Sequence, residues 1–128
     1  MDAARKILAV DDNPSIRSSM HFIFAAPRYE VTDAEDGDDA LAKLGANSDP
    51  YDVIIVDQKM PHLTGVELVQ EIRQRGIAGK IMVLSAHLTA EIREAYERMD
   101  VGLILEKPFD IHYLRSALDE LPLDRPLT

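Results

Sequence analysis

Residues 53–57 read Val53-Ile54-Ile55-Val56-Asp57, four consecutive apolar side chains closed by a carboxylate. An unbroken apolar run this short suits a strand covered on both faces, as in a parallel sheet; a strand with one wet face would alternate. Three other runs have the same form. Ile7 to Val10 precedes Asp11 and Asp12, and Ile81 to Leu84 precedes Ser85. Leu103 to Leu105, with Val101 just before it, precedes Glu106, Lys107 and Pro108. A fifth, weaker strand, Tyr29 to Thr32, alternates at Tyr29 and Val31, which predicts an edge position.

Helical stripes fill the intervals: Ile16, Met20, Ile23 and Phe24; Ala40, Leu41 and Leu44; Leu68, Val69 and Ile72; Ile92, Ala95, Tyr96 and Met99; Ile111, Leu114, Leu118 and Leu121. Asn13 followed by Pro14 suits a helix start, and Gly45 and Gly76 stand where the second and third helices should stop. Strand and helix therefore alternate five times. That rhythm predicts an α/β fold, a parallel sheet with right-handed crossovers and helices on both faces. The 128 residues fit one domain. Residues 122–128 hold two prolines and no periodicity, so they read as a tail or the start of a linker after a domain at 1–121.

Composition narrows the function. Fourteen basic and 23 acidic residues give a net charge of -9, which repels nucleic acid and anionic lipid. The absence of cysteine excludes disulfides, thiolate metal sites and a cysteine nucleophile, and fits a reducing cytoplasm. The apolar stretch after Arg5 and Lys6 is cut short by Asp11 and Asp12, too early for a signal peptide. No apolar run approaches the ~20 residues that span a bilayer. The expectation is a soluble cytoplasmic chain.

In an open parallel sheet the carboxyl ends of the strands share one edge, where sites form. Asp11, Asp12, Asp57, Ser85 and Lys107 then converge from four strands. Three carboxylates at one spot repel, and without compensation at least one is pushed toward protonation. A hard divalent cation resolves the conflict, and an all-oxygen donor set points to Mg2+ or Mn2+. A metal-bound carboxylate can attack phosphorus to give an aspartyl phosphate. Phosphoryl transfer also needs positive charge and donors around the equatorial oxygens, which the metal, Lys107 and Ser85 can supply.

The ordered set Asp11-Asp12, Asp57 with Met60-Pro61 and Gly65, Ser85-Ala86 and Lys107-Pro108-Phe109 resembles the response regulator receiver family over about residues 5 to 121. The resemblance implies a flavodoxin-like, doubly wound five-stranded sheet of order 2-1-3-4-5 with five helices. It implies that Asp57 is the phosphoacceptor and that Asp12 and Asp57 bind Mg2+ directly. Asp11 would act through water, with the Lys59 backbone carbonyl as a further ligand. Ser85 and Lys107 would hold phosphoryl oxygens, Ala86 would leave room for the group, and the Lys107-Pro108 bond would be cis. Such a domain is a regulatory phosphoacceptor rather than an enzyme, although it assists its own phosphorylation and dephosphorylation. Its partners would be a sensor histidine kinase or histidine phosphotransfer protein, and a downstream protein or attached output domain on the helix 4-strand 5-helix 5 face.

Three positions depart from the pattern or tune it. Ile104 stands where most receivers carry a Tyr or Phe that changes rotamer on activation. Lys59 and His87, each two residues past a site residue, should flank the path of the hydrolytic water and set phosphoryl lifetime. The remaining histidines, including His21, His62 and His112, show no metal-ligand spacing. Other readings stay open: a small hydrolase with an aspartyl nucleophile, a flavodoxin-like cofactor binder, or a receiver-like module that is never phosphorylated. Against the first, Asn13 stands two residues after Asp11 where such hydrolases place a second Asp. Against the second, Asp11 and Asp12 would repel a phosphate.

Overall fold

The computed structural model describes residues 4–46, 50–101 and 103–121; the expected tail at 122–128 lies outside them. The chain alternates strand and helix throughout: β1 (Arg5–Val10), α1 (Pro14–Ile23), β2 (Tyr29–Ala34), α2 (Gly37–Ala46), β3 (Val53–Asp57), α3 (Gly65–Gln74), β4 (Lys80–Ser85), α4 (Ala90–Arg98), β5 (Leu103–Glu106) and α5 (Ile111–Glu120). The strands form one parallel sheet in the order β2-β1-β3-β4-β5. β2 is an edge strand, as its alternation predicts, and runs two residues beyond Thr32.

The unbroken apolar runs follow from helices on both faces. Ile7, Ala9, Val53, Ile55, Met82 and Leu84 point to one side, where α1 and α5 bring Met20, Ile23, Leu114 and Leu118. Leu8, Val10, Ile54, Val56, Ile81 and Val83 point to the other, against Ala40, Leu44, Leu68, Val69, Ile72 and Tyr96 of α2, α3 and α4. A strand with period 2 and two dry faces can carry no polar position, and burial of each such side chain stabilises the fold by about 1.5–3 kcal/mol.

Helix starts are chemically marked. Asn13 accepts from the Ser15 N–H with Pro14 in the first turn. Thr64 and Glu67 form a reciprocal capping box. Thr89 accepts from Ile92 N–H and Asp110 from His112 N–H. These caps all follow the carboxyl ends of strands, so four helix N-termini, with their partial positive charge, border one edge of the sheet.

Two expectations need correction. Gly45 lies inside α2 rather than ending it; Gly76 does follow α3, at φ 66°. Ile111 is 42% exposed. The buried face of α5 runs through Leu114, Ala117 and Leu118, and Ile111, in the first turn, projects past it. In the stripe of α4, Tyr96 is fully buried and Met99 half-buried, as is Leu103 of β5. The Lys107–Pro108 bond is cis, as the resemblance implies, and Ala26–Pro27 is also cis.

Packing of this kind predicts a sharp contrast. Ile54→Ala, in the middle of the sheet, should lower unfolding free energy by about 2–5 kcal/mol. Phe22→Ala, on an α1 side chain that is 78% exposed, should change it by no more than about 0.5 kcal/mol. Urea denaturation of the two variants checks both values.

Candidate functional site

At the carboxyl edge, main-chain bonds carry the strand registers into the loops. Asp11 leaves β1 with its N–H donating to Ala34 O at 3.1 Å. Asp57 is the last residue of β3, and the next residue, Gln58, donates to Leu84 O at 3.0 Å. Ser85 closes β4, and its carbonyl accepts from Lys107 N–H at 2.8 Å. Four strands thereby deliver their side chains to one spot. Asp11, Asp12 and Asp57 each offer a carboxylate oxygen, all within 4.8 Å of one another. Lys107 Nζ donates to Asp57 Oδ1 at 3.0 Å and stands 3.7 Å from Asp11 Oδ2.

One ammonium among three carboxylates leaves an excess of negative charge, and Asp11 and Asp57 are both buried. Burial holds the Asp57 carboxyl above the ordinary carboxylate range, opposed by its bond to Lys107. Burial also raises Asp11, opposed by the Asn13 N–H that its Oδ1 accepts at 2.9 Å and reinforced by the nearby Asp57. Asp11 Oδ2 is buried without a hydrogen bond. An acceptor oxygen stranded in this way, within a cluster of three oxygen donors, fits a hard cation such as Mg2+.

The other expected residues divide. Lys59, Ser85, Ala86 and His87 line the same cleft as the carboxylates. Ser85 is buried, whereas the Lys59 and His87 side chains are exposed. Ile104 does not reach the cleft; it is half-buried against the core on the α2–α3–α4 side. Two residues of the site's surroundings escaped the sequence reading. Gln58 Oε1 accepts from the Tyr96 hydroxyl and from Val66 N–H at 3.2 Å. Tyr96 sits on an apolar helical stripe and so reads as a core aromatic; nothing in its spacing marks the polar end.

A family model described as the response regulator receiver domain matches residues 7–119. The chain is 40% identical over 105 residues to the transcriptional regulatory protein ResD of Bacillus subtilis, covering 81% of this chain and 42% of that one. It is 32% identical over 115 residues to the sensor protein EvgS of Escherichia coli, covering 90% of this chain and 9% of that one. The chain thus spans under half the length of these curated relatives. Among solved structures, chemotaxis protein CheY4 of Vibrio cholerae superposes with a TM-score of 0.85 at 34% identity, covering 94% of this chain and 100% of that one. Response regulator TrrA of Thermotoga maritima, solved in complex with Mg2+ and BeF, gives 0.78 at 30% identity, covering 92% and 99%.

The raised carboxylates fix a pH dependence. Above about pH 4 the unfolded carboxyls have lost their protons while Asp11 and Asp57 in the folded chain still hold theirs in part. Folded protein then binds more protons than unfolded, so metal-free stability falls as pH rises through the raised values. Asp57→Asn should flatten this slope and stabilise the metal-free protein at neutral pH, by about 1 kcal/mol. Millimolar Mg2+ should raise the melting temperature of wild type and do little for Asp12→Ala. Denaturation curves in EDTA and in Mg2+ across this pH range test all three outcomes.

Proposed function

Because the chain belongs to the response regulator receiver domain family, we propose that Asp57 is its phosphoacceptor and that Mg2+ is held there by Asp12 and Asp57. Asp11 would act on the metal through water and the Lys59 backbone carbonyl would be a further ligand, with Mn2+ able to take the same place. The observation that carries this reading is the contact of Lys107 Nζ with Asp57 Oδ1 at 3.0 Å, inside a cluster of three carboxylates.

When bound, the cation supplies the positive charge that lets one carboxylate approach a phosphoryl group despite its neighbours. Asp57 supplies the attacking oxygen: an Oδ–P bond forms as the donor's P–N bond to histidine breaks. Lys107, already paired with Asp57, takes one phosphoryl oxygen, and the Ser85 hydroxyl donates to another. Ala86 leaves the group room. Lys59 and His87, both exposed on the cleft wall, flank the approach of the hydrolytic water and set the lifetime of the aspartyl phosphate, whose formation and loss the domain assists.

The donor is a sensor histidine kinase or a histidine phosphotransfer protein, and the domain works in the cytoplasm. No helix among the described residues is long and apolar enough to cross a membrane, and the -9 charge disfavours direct nucleic-acid binding. Residues 1–121 form the receiver unit and 122–128 its tail or linker. The output is a downstream protein or an attached domain that reads the face of α4, β5 and α5. Ile104 has no ring to swing and is stiff at χ1, so the change on phosphorylation runs mainly through residues 86–89 and α4.

Treatment with acetyl phosphate and Mg2+ should add one phosphoryl group per chain, read by intact mass. EDTA and Asp57→Asn should each abolish it, and Lys107→Ala should slow it by about 100-fold. Equal labelling of Asp57→Asn would refute the assignment.

A further inference from the structure

Helix α4 is lightly attached. Tyr96 is its one fully buried residue, while Ile92 and Ala95 are half-buried. Just past its C-terminal end, Arg73 of α3 donates from Nε to Met99 O and from Nη2 to Asp100 O, both at 2.9 Å, which ties the cap of α4 and the residue after it to α3. At the other end Ile92 lines the cleft, and Arg93 reaches Glu106 only at 4.0 Å in an exposed pair of little strength.

The Tyr96 hydroxyl donates to Gln58 Oε1. Gln58 directly follows Asp57. Its N–H donates to Leu84 O at 3.0 Å, its carbonyl accepts from Gly65 N–H at 2.9 Å, and its Oε1 also takes Val66 N–H at 3.2 Å. One side chain therefore joins the end of β3, the first turn of α3 and the last turn of α4. The fit depends on a glycine. A Cβ at Gly65 would lie 2.9 Å from both Gln58 Cα and Gln58 Oε1 and would collide with the phenol oxygen. The charge of Asp57 is also felt at the phenol, which burial and Asp57 together hold above its ordinary range.

We propose that the Tyr96–Gln58 hydrogen bond is the joint through which the state of Asp57 reaches α4, in place of the aromatic side chain that β5 lacks at Ile104. The proposal rests on Asp57 being the phosphoacceptor. A phosphoryl group there adds bulk and charge one residue from Gln58. A shift of the Gln58 main chain redirects Oε1, and a buried phenol without its acceptor is costly. Either α4 follows Gln58 or the bond breaks. If it breaks, the N-terminal half of the helix is released while Arg73 still holds the other end. A phosphoryl group moves an equilibrium only by interacting differently with two arrangements, and the two arrangements here would be Gln58 with and without the Tyr96 hydroxyl. The coupling is reciprocal, so removing the bond must also alter the affinity of the site for its ligand.

The test is amide chemical-shift mapping with Mg2+ and beryllium fluoride, a phosphoryl mimic, on wild type, Tyr96→Phe, Gln58→Met and the double variant. In wild type, amides around Asp57, Ser85 and Lys107 and along residues 90–99 should move. In Tyr96→Phe, which keeps the buried ring, the site amides should still move while the changes along α4 fall to about half or less, with a two- to tenfold change in apparent affinity for the mimic, about the effect of one hydrogen bond. Gln58→Met should do the same, and the double variant should add nothing further, as expected of partners in one bond. A responding site with undiminished α4 shifts in both single variants would overturn the joint alone. A wild-type site that ignores the mimic would overturn the phosphoacceptor reading and the joint with it.

Discussion

One ammonium facing three carboxylates at the edge of a sheet is an expensive arrangement, and much of the fold exists to hold it. Asp11 and Asp57 are buried where charge is disfavoured, and both carboxyls are raised for that reason first. Lys107 relieves part of the repulsion at 3.0 and 3.7 Å. Those distances survive only while four strands keep register. The main-chain bonds Gln58 N–H to Leu84 O and Lys107 N–H to Ser85 O extend that register past the last strand residues, and the helix caps at Asn13, Thr64, Thr89 and Asp110 fix where the loops end. A site that is preorganised yet under-compensated responds strongly when positive charge or a phosphoryl group arrives, because the cost was met in the folding.

The two sides of the sheet are secured differently. On the α1–α5 side, Arg115 of α5 donates twice to Ile23 O at the end of α1, at 3.0 and 3.1 Å. Arg5 of β1 reaches Leu118 O at 3.0 Å. Asp119 accepts from Arg28 at 2.8 Å and from the Tyr29 hydroxyl at 2.7 Å. These bonds join α5 to α1, to β1 and to the start of the edge strand β2. On the other side α4 has one fully buried ring, Tyr96, flanked by half-buried Ile92 and Met99, and an arginine from α3 at its end. Regions with few buried contacts are the ones that open at low free energy, and α4, with one fully buried residue, has the fewest of the five helices.

Much of this was legible in the residues. Continuous apolar runs such as Val53 to Val56 betray strands with two dry faces, and a polar residue ending each run marks the edge where Asp57, Ser85 and Lys107 meet. These are local signals, set by period and by chain order. What escaped was decided by approach in space. Tyr96 and Gln58 are 38 positions apart, and neither carries a pattern that announces the other. Gly45 reads as a helix stop by composition, yet α2 runs on to Ala46. Ile111 belongs to its stripe by period but projects past the buried face of its helix, and periodicity alone carries no information about where a covering surface ends.

The strand order β2-β1-β3-β4-β5 also has a history written into it. Asp11 and Asp12 directly follow β1 and Asp57 ends β3, whereas Lys107 lies 50 positions after Asp57. A ribosome adding about 5–20 residues per second leaves several seconds between them. During that interval any early docking of β1 against β3 gathers negative charge with no lysine to offset it. Premature closure of this edge is therefore penalised by its own electrostatics. The nascent chain is favoured to complete the sheet late, when β5 brings the cation with it.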